Sequence, residues 1–98
     1  MEEFKQFEQN YVYFNGYIGT VPEIRYFGNG GCKCTFTIPL KKNKDDEATW
    51  LRCECWGKKA EEISDNYKKS DEIVVGGYFK ESEYNGKKYI NFVVKVVG

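Results

Sequence analysis

The stretch Thr49-Trp50-Leu51-Arg52-Cys53-Glu54-Cys55-Trp56 alternates strictly, with Trp50, Arg52, Glu54 and Trp56 at one set of positions and Leu51, Cys53 and Cys55 at the other. A period of two belongs to a β-strand, so the two sets stand on opposite faces. The smaller apolar residues then point inward, and both tryptophans of the chain stand on the polar side. Large aromatics normally supply core area. An outward pair therefore marks a surface that meets a flat partner: stacked bases, another subunit or a loop.

Working outward, Lys58 to about Lys68 carries Ala60, Ile63 and Tyr67 at i, i+3, i+7 among charges, which predicts a short helix with one inward stripe. On the other side, Lys41–Ala48 is a charged loop, and Cys32–Leu40 alternates again. There Cys32, Cys34, Phe36 and Ile38 share one face and Lys33, Thr35 and Thr37 the other. A hairpin of these two strands is expected to set Cys34 opposite Cys53 and Cys32 opposite Cys55. Asn10–Gly19 predicts a first strand, closed by Val21-Pro22-Glu23 and followed by a flexible connection through Phe27-Gly28-Asn29-Gly30-Gly31. Ile73–Phe79 and Tyr89–Val97 predict the last two, joined through Tyr84-Asn85-Gly86-Lys87, where Asn-Gly is a strong hairpin signal. Residues 1–9, with Phe4 and Phe7, form an N-terminal arm to which no chemistry is assigned. The expected fold is all-β: one domain over residues 10–98, a five-stranded oligonucleotide-binding (OB) barrel with a helix between strands three and four.

The 98 residues suit one core. Fifteen basic against fifteen acidic residues give zero net charge, so the chain lacks an overall basic footprint, although stacking does not register in net charge. No apolar run approaches the roughly 20 residues that span a bilayer, and the acidic start does not resemble a secretory signal, so a cytoplasmic protein with reduced thiols and no membrane association is expected. With no His and no nucleophile beside a base, no catalytic site and no cofactor are expected. The four cysteines lie in the core phase of Leu51 and Phe36 rather than on turns at zinc-ligand spacing, so they are expected in the core and no metal site is assigned.

Asn10-x-Val12-x3-Gly16-x-Ile18, Pro22-Glu23-x-Arg25-Tyr26, Asn29-Gly30-Gly31, Trp50-x-Arg52-x3-Trp56-Gly57-Lys58-x-Ala60-Glu61 and Lys69-x3-Ile73-Val74-Val75-x-Gly77 together resemble the bacterial-type single-stranded DNA-binding protein (SSB) family. The resemblance runs from Asn10 to Val97. It implies a sequence-tolerant binder of single-stranded DNA in replication, recombination or repair, assembled as a homo-oligomer, a tetramer or a dimer, with replication proteins as possible partners. It places stacking aromatics at Trp50, Trp56 and Tyr84. Cations beside such platforms would meet phosphates, and the candidates are Arg52, Arg25, Lys33, Lys58, Lys87 and Lys88, with Arg52 foremost because it lies between the tryptophans.

Four departures from the family pattern bear on these expectations. Lys41–Lys44 fill the region of the family's strand-two tryptophan, Val21 stands where Asp usually precedes the Pro, and the sequence stops at Gly98 without the acidic tail that recruits partners. Lys80-Glu81-Ser82-Glu83 brings two acids where the family is commonly basic, which lowers the expected affinity for phosphates. The competing reading is a primosomal-type OB adaptor that works mainly through protein partners.

Overall fold

The computed structural model describes residues 11–40 and 49–98; the predicted N-terminal arm and the Lys41–Ala48 loop lie outside them. The elements run β1 (Val12–Tyr17), β2 (Glu23–Tyr26), β3 (Cys32–Leu40), β4 (Thr49–Trp56), α1 (Gly57–Asn66), β5 (Glu72–Tyr84) and β6 (Lys87–Val97). All six strands join one sheet in the order β1-β5-β6-β4-β3-β2. Neighbours are antiparallel except β4 and β6, which meet in parallel at Cys53–Phe92 and Glu54–Val93. Along the chain the helix falls between β4 and β5, and it packs against β2, β3 and β4.

The ladder does not close into a continuous ring, since β1 and β2 are its two edges. A polar clasp brings the end of β1 to β3 instead. Gly19 N–H donates to Thr37 O at 2.7 Å. Thr20 Oγ1 accepts from the Thr37 N–H and hydroxyl, each at 3.1 Å.

Beneath the sheet, Ile18, Cys32, Cys34, Phe36, Ile38, Cys53, Cys55, Ile73, Val75, Phe92 and Val94 form the core, closed at one end by Ala60 and Ile63 of α1. These are the inward sets that alternation predicts on β3 and β4, and the apolar stripe predicted for the helix. Phe92 is met edge-on by Phe14 and Phe79, each with ring centroids 5.2 Å away, a geometry that suits the opposed charge of ring edge and ring face.

Several boundaries differ from the sequence reading. Glu23–Tyr26 is a strand in its own right, paired to β3 from Glu23–Thr35 to Tyr26–Cys32. It is too short to show a period. The last hairpin is longer than predicted: β5 continues through Lys80–Tyr84 and β6 begins at Lys87, around a turn whose Asn85 and Gly86 both have positive φ, 52° and 78°. That is the backbone Asn-Gly favours. The β3–β4 register is shifted by two residues from the expected one, with Cys34 opposite Cys55 and Phe36 opposite Cys53. A slip of two keeps every side chain on its face, so face assignments are unaffected while partners change.

Candidate nucleic-acid interface

The outer face of the sheet is built from the odd residues of β3 and the even residues of β4, and their register places Lys33 opposite Trp56, Thr35 opposite Glu54, Thr37 opposite Arg52 and Pro39 opposite Trp50. β2 extends this face with Arg25 beside Lys33 and Glu23 beside Thr35. On the other flank the β5–β6 ribbon presents Tyr78, Lys80, Ser82 and Tyr84, paired to Val93, Asn91, Tyr89 and Lys87.

Four aromatics stand out from this surface: Trp50 is 54% exposed, Trp56 39%, Tyr78 43% and Tyr84 69%. The Trp50 ring lies over Gly19, where an added Cβ would come within 2.5 Å of the indole, and Pro39 lies as close behind. A glycine there leaves room for the indole where a Cβ would clash, while about half of Trp50 remains exposed. Trp56 has two ammonium groups near its ring, Lys33 Nζ and Lys80 Nζ, each 5.4 Å from the centroid. Arg52 is exposed, with its guanidinium 5.9 Å from the Tyr89 ring. These distances fall within cation–π range.

Of the expected site residues, Trp50, Arg52, Trp56, Lys33, Arg25, Tyr84 and Lys87 share this face. Lys58 lies in the first turn of α1, beyond the left-handed Gly57 (φ 65°) that turns the chain out of β4. Lys88 pairs with Glu83. Both are in the opposite phase from Tyr84, on the ribbon's other side with Glu81.

Two features were not legible in the sequence. Lys80 stands on the interface while its acidic neighbours Glu81 and Glu83 face away, so the acidity noted for this segment is not displayed beside the tryptophans. Strand alternation alone predicts that sorting once the strand is extended through Tyr84. Glu54 occupies the outward phase yet is only 4% exposed. Lys33 Nζ pairs with its Oε1 at 3.2 Å, and Asn91 Nδ2 donates to the same oxygen at 3.5 Å. A buried carboxylate needs such donors, and Lys33 reaches it from the neighbouring strand β3.

The four thiols lie in the core beneath this face. Burial pushes the Cys53 thiol up to about 12. Cys55 is pushed up by its hydrogen bond with Cys34 and by burial. Among the described residues, no group of three or more His, Cys, Asp or Glu is placed to hold a metal ion.

A model of the single-strand binding protein family matches residues 9–97. The chain belongs to that family. Among curated relatives of this family member, the single-stranded DNA-binding protein of Thermosynechococcus vestitus is 36% identical over 72 residues, 72% of this chain and 60% of the relative. Single-stranded DNA-binding protein 1 of Nostoc sp. is 32% identical over 80 residues, 81% of this chain and 67% of the relative. The match to the first relative thus spans about 60% of its length. A crystal structure of the SSB domain of a Synechococcus sp. protein superimposes with a TM-score of 0.74 at 20% identity, covering 90% of this family member and 92% of that chain. At that identity the likeness shows the fold.

Proposed function

We propose that this protein binds single-stranded DNA without strict sequence preference, stacking bases on Trp50, Trp56 and Tyr84 and meeting phosphates with Arg52, Arg25, Lys80 and Lys87. The observation that carries the reading is the gathering of exposed aromatics, Trp50, Trp56 and Tyr84 among them, with Arg25, Arg52, Lys80 and Lys87 on one face of a molecule whose net charge is zero. A base on an aromatic face gains roughly 1–3 kcal/mol whatever its identity. A strand laid along this face therefore gains from successive platforms while its backbone tracks the cations. Lys33, held by Glu54, offers less charge to phosphate than its position implies. Roles in DNA replication, recombination or repair and a homo-oligomeric assembly belong to the same proposal, and repeated short sites on one oligomer would raise avidity without new contacts.

Titration with oligo-dT at low salt tests it. Tryptophan fluorescence is expected to be quenched, and Trp56→Ala to weaken binding by about 1–3 kcal/mol. Unchanged fluorescence across the titration would instead favour the adaptor reading, in which the same aromatic face meets a protein.

A further inference from the structure

Between the two tryptophans along β4 the outer face sinks into a groove of about 490 Å³ whose lining includes Lys33, Thr35, Thr37, Arg52, Glu54 and Asn91. Glu54 is an expensive residue in such a place. A nearly buried carboxylate must keep a donor, because removing that donor leaves the desolvated charge uncompensated. Here Oε1 takes both donors, from Lys33 and from Asn91. Among the described residues, Asn91 Oδ1 is the buried side-chain atom left without a hydrogen-bond partner. The groove thus keeps one buried acceptor unpaired beside the Glu54 carboxylate, whose main donor belongs to a lysine side chain that is 35% exposed.

We propose that Glu54 and Asn91 make this groove discriminate among bases, favouring those with an exocyclic amino group over thymine. The inference rests on the single-strand-binding reading above and goes beyond its sequence tolerance. An amino group brings two N–H donors, one of which could serve the unpaired Asn91 Oδ1, and carboxylates accept from the N4 amino group of cytosine. When a cytosine enters, its amino group takes over the carboxylate and releases Lys33 to a phosphate. Thymine presents a carbonyl at the corresponding position. It repels the carboxylate and obliges Lys33 to stay where it is.

The test compares the whole chain's affinity for oligo-dC and oligo-dT of one length at two salt concentrations, before and after Glu54→Gln. The unaltered protein is expected to bind oligo-dC at least about fivefold more tightly. Its slope of log K against log salt should be steeper for oligo-dC by about 0.7, the share of one further phosphate contact. Glu54→Gln, which preserves shape and lets an amide both donate and accept, should bring the two within about twofold and tighten binding of oligo-dT. Equal binding of both oligonucleotides by the unaltered protein overturns the inference and leaves the proposed function standing. A preference that survives Glu54→Gln also overturns it, assigning the discrimination to stacking. No binding to either removes the proposed function and this inference together.

Discussion

Lys80 and Lys88 show how much one residue's phase decides. Both belong to the same hairpin, but Lys80 reaches the Trp56 ring while Lys88 pairs with Glu83 in the opposite phase. If phosphates run along the aromatic face, Lys80→Ala should reduce the oligo-dT salt slope by about 0.7 and Lys88→Ala should leave it unchanged. Affinities at three salt concentrations check this, and equal losses from the two variants would contradict the placement. Trp50, Arg52 and Trp56 were legible because a strand of eight residues shows its period plainly. Glu54 was not. Alternation gives the direction of a side chain but not what lies over it, and Asn91 and Lys33 arrive from strands far apart in sequence.

At the level of elements, the turning point of the sheet is the Gly76–Gly77 pair, where β5 and β6 change register. An added Cβ at Gly77 would come within 1.8 Å of the Val93 carbonyl oxygen, which is backbone and fixed by the ladder. At Gly76 it would come within 2.3 Å of Tyr13, an exposed ring that can swing aside. Gly77→Ala is therefore expected to destabilise the fold by about 3 kcal/mol and Gly76→Ala by about 1, read from urea midpoints. The reverse order would show that the Tyr13 ring is the more rigid neighbour. Long, regular elements were legible at this scale, including the OB arrangement and the helix stripe of Ala60 and Ile63. β2 was hidden because four residues show no period, and its Pro-Glu start reads as a turn. The β3–β4 partners could not be fixed either, since the loop between them sets the register and carries no turn signal of defined length.

For the whole molecule, the buried thiols turn global opening into a chemical signal. All four cysteines lie in the core, and the Cys53 pKa raised to about 12 means a neutral thiol in the folded state at ordinary pH. A thiol-directed alkylating reagent at pH 8 should leave the native protein unlabelled and modify four sites once urea unfolds it, as mass spectrometry would count. Labelling under native conditions would reveal local openings well below the global unfolding energy. The sign of the linkage follows from the same burial. A thiol whose folded pKa lies above its unfolded value contributes stability that is fully present below about 9 and lost as pH rises towards about 12. Unfolding midpoints should accordingly fall across that window, and fall less in Cys53→Val.

The β5–β6 ribbon leaves the sheet after Phe79, so that among the described residues its pairs from Lys80–Asn91 to Tyr84–Lys87 have no third strand beside them. That free arm is roughly 15 Å long, and it carries Tyr84 away from the two tryptophans. On the proposed reading, the footprint of a bound strand is governed by the reach of the hairpin, while the sheet behind it sets how firmly each base is held. Lengthening or trimming the arm in steps of two residues would change the number of nucleotides occluded and leave the facing of every side chain intact.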